Sequence, residues 1–481
     1  MRLTSRLTPE LRAHTPPEVL TLIDDLVAEV AALQNQVRDL QARLRQDSTN
    51  SSRPPSSDGP LKKARRPRRR GASPRRPGGQ PGHEPAARDW LPPEELTDII
   101  VCKPEVCRHC HGPLHGSDEL PLCHQVTEVP ALPRPEVREY QRHILTCRRC
   151  GQTTMGALPE GVGPGAFGPR LQALVAVCTG CYHLSKRQVE ELLADCFGVT
   201  ISLGSISTLE QATSQALAAP VAAARQAVQT QAVVHVDETG WQQPDKAWLW
   251  AGVTTYLAVF SIRNLRDAAG AIEILGLHFG GILVSDRFSS YNWLPNKQRQ
   301  LCWAHLRRDW LAFIDRGGAS ARLGQRLLTL TDQMFHEWHR VRDGTLPHRL
   351  FQSAMRAVRR EVGALLRQGA RGAHRQTAGT CADILKREEA LWTFVDHAGV
   401  EPTNNAAERA LRPAVLWRKK SFGTQSRAGS VYVERMLSVV TTCRLQGRNV
   451  LEYVTAACQA SRSQQPAPSL LPEQTPARKA G

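Results

Sequence analysis

The chain has 481 residues, room for about three domains of roughly 150 residues each, and its 41% hydrophobic and 22% charged content suits a globular protein with a sizeable core. No run of about 18 apolar residues occurs, and the opening MRLTSRLTPELRAHTPPE lacks an apolar signal core, so neither a membrane nor a secreted protein is expected. With 62 basic against 45 acidic residues the net charge is +17 and the pI about 9.7, which points to a polyanionic partner, nucleic acid first.

Residues 19–44 carry a heptad. Ile23, Val30, Val37 and Leu44 take one seam position and Val19, Leu26, Leu33 and Leu40 the other, in the alternating three- and four-residue steps of a left-handed coiled coil. The plainer reading is one amphipathic helix on a globular core. The polar remainder (Gln34, Asn35, Gln36, Arg38, Asp39) favours pairing, hence self-association. From residue 46 to 84 the sequence is rich in Pro, Gly, Ser and Arg and poor in apolar residues, so it cannot offset its ordering entropy alone. It contains Lys62, Lys63, Arg65, Arg66, Arg68, Arg69, Arg70, Arg75 and Arg76, cations that would bind phosphate without regard to base sequence.

The 13 cysteines include two close CxxC pairs, Cys107 with Cys110 and Cys147 with Cys150. In a reducing compartment such pairs read as metal or redox sites. Two thiolates in a knuckle grip one side of a tetrahedral ion, and Val126, Val129, Val137, Tyr140 and Ile144 suggest strands between the pairs. The expectation is a zinc ribbon holding structural Zn²⁺, with Cys102, Cys123, His109 and His111 as substitute ligands. Helices follow at 171–181, at 185–197 with Ser185 as N-cap, and from about Ser205. Their spacing suits a helix-turn-helix or an ordinary helical connector equally well.

The pattern then changes to strands. AVVHVDETGW reads as a strand ending in Asp237, AWLWAGVTT and YLAVFSI as two more, 267–275 as a helix, GGILVSDRF as a strand ending in Asp286, and RQLCWAH as a short strand before a helix. That order matches an RNase H-like domain if residues 288–296 stand for its second helix. Parallel strands would then bring Asp237 and Asp286 together at their carboxyl ends, and a divalent cation would relieve the repulsion. All-oxygen ligation suits Mg²⁺ (or Mn²⁺). A third carboxylate should come from a later helix. Glu408 in EPTNNAAERALRP fits, with Thr403 or Asn404 as cap and Arg409 and Arg412 placed for phosphate. The intervening stretch, about 306–395, reads as an inserted helical subdomain with Trp310, Phe313, Leu327, Leu330, Phe335, Trp338, Leu365 and Leu366 in its core.

HVDETGW, LVSDRFSSY, CWAHLRRDW and NNAAERALRPAVLWRKKSFG resemble the motifs of the insertion sequence 66 family of bacterial DDE transposases. The order of coiled coil, NSSRPPSSD and RRPGGQPGHE, double CxxC segment and core is similar too, over roughly residues 15 to 460. The resemblance implies that Asp237, Asp286 and Glu408 are the catalytic acids. It also implies terminal inverted repeats and target DNA as double-stranded partners, small accessory proteins in many members, and a place with the bacterial nucleoid in the cytoplasm. The pair Cys302 and His305 matches the family's CWAH, for which a buried thiol and an active-site histidine supporting the acids, with Asn404, is preferred to a metal site.

The expected fold class is therefore multidomain α+β: a coiled-coil dimerisation helix (1–50), a basic disordered linker (51–90), a zinc-ribbon DNA-binding domain (91–160), a helical region (161–229), an RNase H-like DDE catalytic domain (230–425) with the helical insertion, a C-terminal helical element (426–465) and a disordered tail (466–481). Three rival functions stand beside the transposase. A catalytically silent, transposase-derived DNA-binding regulator would keep its activities without Asp237. A nuclease of the same fold would cleave without joining. A redox protein would need a thioredoxin-like setting around its CxxC pairs, which is lacking.

Overall fold

A computed structural model describes residues 16–44 and 90–472 apart from Pro133, Pro164 and Phe422. The cations Lys62, Lys63, Arg65, Arg66, Arg68, Arg69, Arg70, Arg75 and Arg76 lie outside the described residues. The chain divides into two units, Arg66–Pro135 and the remainder, Met1–Arg65 with Glu136–Gly481. The architecture mixes helices with a central sheet, and no described helix is long and apolar enough to cross a membrane.

In the smaller unit, Cys107 opens a tight knuckle. Its N–H donates to Gly112 O at 2.8 Å, its carbonyl accepts from His111 N at 2.9 Å, and His111 has φ 59°. In the larger unit Cys147 opens a knuckle of the same form, with Cys147 N donating to Gln152 O at 2.7 Å, Gly151 N to Cys147 O at 2.9 Å, and Gly151 at φ 72°. The second knuckle sits between β1 (Ile144–Thr146) and β2 (Thr153–Met155), an antiparallel pair. The strands expected at Val126, Val129, Val137 and Tyr140 do not form. Those side chains are exposed, and Pro130 and Pro135 interrupt the segment with residues that cannot donate to a ladder.

Helix α1 (Pro17–Leu44) leaves Val19, Leu26, Leu33 and Val37 of its apolar seam exposed. Helices α2 (Pro169–Gly180), α3 (Lys186–Phe197) and α4 (Leu203–Ala216) share a small core of Val175, Val189, Leu193, Ile201 and Ile206. Ser185 caps α3 as expected, in a capping box with Gln188. The third helix starts near Ser205 as expected, with Ser202 as its N-cap, whose side chain accepts from Ser205 N. Helix α4 contains no Lys or Arg, and Ser214 near its end accepts from Arg435. A further helix, α5 (Ala218–Gln229), precedes the sheet.

The sheet runs β5-β4-β3-β6-β7, from β3 (Val233–Gln242), β4 (Lys246–Val253), β5 (Ala258–Arg263), β6 (Ile282–Ser285) and β7 (Arg299–Leu301). β3, β4 and β5 form an antiparallel meander, and β6 and β7 add parallel to β3. The apolar runs in β4 and β5 are buried on both faces, as covered strands should be. Helix α6 (Ala268–Leu275), capped by Asp267, makes the crossover to β6. Gly270 lets it lie directly on Trp250, and Gly252 of β4 leaves space for Ile274. The second helix expected at 288–296 is only a 3₁₀ turn, Ser289–Tyr291, because Pro295 follows within a few residues.

Helices α7 (Trp303–Asp315), α8 (Gly318–Arg342), α9 (His348–Ala370) and α10 (Arg375–Leu385) enclose a second core. Trp310, Phe313, Leu327, Leu330, Leu365 and Leu366 are buried in it, and Phe335 and Trp338 pack on its side. The chain returns along β7, where Thr393 Oγ1 donates to Arg299 O at 2.6 Å and Phe394 N to Gln300 Oε1 at 2.8 Å. The insertion thus leaves beside β7 and comes back to it, delivering α12 (Asn405–Ser421) next to the start of α7; the short helix α11 (Thr393–Asp396) lies on that return.

Helix α13 (Arg427–Leu445) seals the outer edge of the sheet. Backbone N–H groups of Ala258, Phe260 and Ile262 on β5 donate to Thr442 Oγ1, Ser438 Oγ and Glu434 Oε1, at 3.0, 3.0 and 2.9 Å. Alternate strand residues meet every fourth helix residue, so an edge strand's free donors are satisfied by one helical stripe. After α14 (Val450–Arg462), residues 466–472 are held rather than free: Leu470 is buried, and the Pro468 and Ser469 carbonyls accept from Tyr453 and Arg448.

Candidate functional site

The parallel register of β3 and β6 pairs Val233 with Ile282, Val234 with Leu283 and His235 with Val284. Carried two residues further, it sets Asp237 level with Asp286. β3 does not end at Asp237, as expected, but continues to Gln242, because the antiparallel pairing with β4 outlasts the parallel one. Asp286 follows β6 directly. Its carbonyl accepts from Ser285 Oγ at 2.9 Å and from the buried Arg299 at 3.2 Å, and its Oδ1 accepts from Phe288 N at 2.9 Å.

Glu408 lies in the first turn of α12. Pro413 lies well inside that helix. Asn404 does not cap it with its side chain, as expected; the side chain faces β3 instead. Its Nδ2 donates to Val236 O at 2.8 Å and its Oδ1 meets His235 Nδ1 at 3.3 Å, while its backbone N donates to Cys302 Sγ at 3.2 Å. Because Nδ2 is committed to Val236, His235 Nδ1 must be the donor. One fully buried amide therefore ties β3, the start of α12 and the start of α7 together. His305, one turn into α7, places Nδ1 3.8 Å from Glu408 Oε1. Burial and the Arg308 charge bring its pKa down to about 4, so at neutral pH this contact is not an ion pair.

The three acids feel one another. Burial pushes the Asp237 carboxyl well above its ordinary value; Glu238, Asp286 and Glu408 push the same way, against a bond from Glu238 N. Glu408 is also raised, by burial and then by Asp286, while Arg308 and Arg409 pull it down. Adjacent carboxylates that offer only oxygen are a fitting donor set for a divalent cation.

Sequence reasoning missed the neighbour of Asp237. Glu238 is buried, takes a two-pronged contact from Arg266 at 2.6 and 2.9 Å, and accepts a short bond from the Tyr291 hydroxyl. Arg266 is itself sandwiched by Phe288 at 3.7 Å and Trp248 at 4.7 Å. The tyrosine in LVSDRFSSY was the available signal, without a partner to assign it. A cleft of about 470 Å³ opens beside Asp286 and His305, with Arg266, Arg287 and Arg308 in its wall. Arg287 is engaged by Asp309 and Asp383, whereas Arg308 makes no ion pair among the described residues. Arg409 and Arg412 are exposed on α12.

At the knuckles, backbone N–H groups of Cys110 and His109 lower the Cys107 thiol, and those of Cys150 and Arg149 lower Cys147. Cys107 and Cys147 are thereby biased toward the thiolate that metal binding needs.

Three proteins of Sinorhizobium fredii are similar to this chain. The uncharacterized protein y4qI is 27% identical over 251 residues, which is 46% of this chain and 46% of that protein. The uncharacterized protein y4hP is 25% identical over 406 residues, 75% of this chain and 71% of that protein, and y4jO is 26% identical over 206 residues, 40% and 58%. The chain thus spans about half the length of the first of these relatives. No solved structure matches it. A family of unknown function (DUF6444) matches residues 6–89. The model of the Transposase IS66 family matches residues 164–431, more than half of the chain, with Asp237, Asp286 and Glu408 inside the match. The chain belongs to the IS66 family of transposases.

Proposed function

We propose that the protein is a DDE transposase that binds the terminal inverted repeats of its element, cleaves DNA and joins the freed 3′ end to target DNA, with Asp237, Asp286 and Glu408 as its catalytic acids. The observation that carries this reading is the strand register that sets Asp237 level with Asp286, with Glu408 within electrostatic reach of both. The sheet order, antiparallel meander then two parallel strands, supports an RNase H-like core.

Mg²⁺ or Mn²⁺ held by the three acids would supply neutralisation of the scissile phosphate and activation of the attacking oxygen. The chain's own groups do the rest. Asn404 keeps α12 in register with β3, so Glu408 stays opposite the strand acids. The Glu238–Arg266–Tyr291 cluster holds the backbone beside Asp237, and Arg266 offsets part of the buried charge that Glu238 adds to the acid cluster. Arg308, uncommitted in the cleft wall, would take a phosphate oxygen, with Arg409 and Arg412 on the adjoining helix face. Zn²⁺ at the cysteine pairs would stabilise each knuckle. The linker cations would add salt-sensitive affinity for DNA. The exposed seam of α1 would pair two copies so that both element ends meet in one complex, with the small accessory proteins of the element as further partners at the bacterial nucleoid.

The test is a strand-transfer assay with the full chain, Mg²⁺ and labelled DNA carrying the element's end. Joining that Asp237→Asn and Glu408→Gln each reduce by about 1,000-fold or more is the expected result, the scale on which losing a charge-stabilising catalytic group acts. Tight end-binding without cleavage, even with Mn²⁺ and cell extract, would refute the enzyme and leave a DNA-binding regulator.

A further inference from the structure

We propose that Cys302, His305 and Glu408 form a binding site for one zinc-class transition-metal ion, with Glu408 shared between it and the acid cluster. One donor atom from each residue, a sulfur, an imidazole nitrogen and a carboxylate oxygen, lies within 4.8 Å of the other two. Ligands about 2.0–2.3 Å from a common ion stand roughly 3.3–3.8 Å apart, so small rotations of these side chains close the site. Its assembly follows from the fold. Cys302 immediately precedes α7 and His305 lies three residues on, so both face the same way across one turn. Glu408 reaches them from the first turn of α12, whose entry is fastened to Cys302 by the Asn404 N–H donated to Sγ at 3.2 Å.

Two of the donors are otherwise unexplained. His305 Nδ1 and Glu408 Oε1 are both buried, and neither has a hydrogen-bond partner among the described residues. They face each other at 3.8 Å, too far for a hydrogen bond and suited to two ligands of one cation. Buried polar atoms are nearly always satisfied, so an adjacent orphaned pair beside a thiol asks for an occupant. The donor chemistry selects it: sulfur with nitrogen and a single oxygen favours Zn²⁺ over Mg²⁺. Three protein ligands leave a fourth position open, the pattern of zinc sites that bind a further group. His305 lines the cleft that also holds Asp286 and Arg308, so that position borders the space assigned above to the phosphate. Because a carboxylate has two oxygens, Glu408 can serve this ion and a hard cation on the side of the strand acids. The cluster would then hold two cations of different chemical kind.

Binding here does not require that the chain move DNA, and its test reads metal content. The full chain is loaded with Zn²⁺, dialysed against zinc-free buffer, and its zinc per chain measured by mass spectrometry. Cys302→Ser and His305→Ala should each carry one ion fewer than wild type, whereas Asp237→Asn and the wild type should agree. With Co²⁺ in place of Zn²⁺, Cys302→Ser should lose one thiolate's share of the sulfur-to-cobalt absorption and keep that of the knuckle cysteines. Equal zinc in wild type and both variants, with unchanged circular dichroism, overturns the proposal. If Cys302→Ser does not fold, His305→Gln, at a side chain that is part-exposed, decides alone. A wild type that binds the extra ion but joins no DNA would refute the transposase reading and leave this site standing.

Discussion

Replacing Asn404 by aspartate keeps the shape of a fully buried side chain and reverses one of its two contacts. The amide donates to Val236 O at 2.8 Å and accepts from His235 at 3.3 Å. A carboxylate would set oxygen against the Val236 carbonyl and leave that carbonyl without its donor, a loss of about 1–3 kcal/mol for an unsatisfied buried group and more for a charged one. Protonation offers a way out, since a neutral carboxyl can donate to Val236 as the amide does, and burial favours the neutral form. The folded-state pKa of the new group then lies above its unfolded value of about 3.9, so its penalty is greatest at high pH and shrinks as pH falls. At about 1.4 kcal/mol per pH unit, the deficit against wild type should narrow by up to about 2.7 kcal/mol between pH 7 and pH 5. Asn404→Ala is the control: it loses the same donor but cannot titrate, so its deficit of about 1–3 kcal/mol should not narrow. Urea unfolding followed by tryptophan fluorescence at both pH values reads all three proteins. Deficits that track each other at pH 7 and pH 5, or an aspartate variant as stable as wild type at pH 7, would refute the account of how α12 is fastened to β3.

Burial holds the His235 pKa down to about 4 against 6.5 unfolded, so its neutral form stabilises the fold fully above pH 6.5 and that contribution is lost as pH falls toward 4, about 3 kcal/mol in all; His235→Gln should flatten that part of the stability–pH curve, and an identical curve would count against it. Ser438→Ala removes the acceptor of a buried β5 N–H, so its urea midpoint should fall by the equivalent of about 1–3 kcal/mol, and an unchanged midpoint would mean the helix stripe does not satisfy the strand edge. Leu33→Lys places a charge in the exposed seam of α1, so sedimentation should show the self-associated form lost with the main thermal transition unmoved, whereas an unchanged mass would place self-association elsewhere.

Strands that carry a carboxylate leave a local signal in the sequence. A β-branched apolar run meeting an acid marks a covered strand that carries a carboxylate, and HVDET and LVSD both read that way, although β3 runs on past Asp237 to Gln242. The long interruption between them and Glu408 was legible as helical because its apolar residues recur at helical spacing, and its expected core residues are those the second core buries or packs against. Ser185 was legible as a cap because a cap acts over three residues.

Contacts between residues far apart in the chain leave no such local signal. Asn404 reads as a helix cap in any local window, and only the return of the insertion beside β7 turns it toward Val236, 168 residues away. Glu434, Ser438 and Thr442 look like polar positions on a C-terminal helix, yet they complete the sheet, because an edge strand must find acceptors and β5 has no sixth strand beside it. Glu238 passes for a spectator next to Asp237 until Arg266 and Tyr291 arrive from two other segments. Periodicity encodes which face of an element is buried; which partner meets that face depends on the packing of the whole chain.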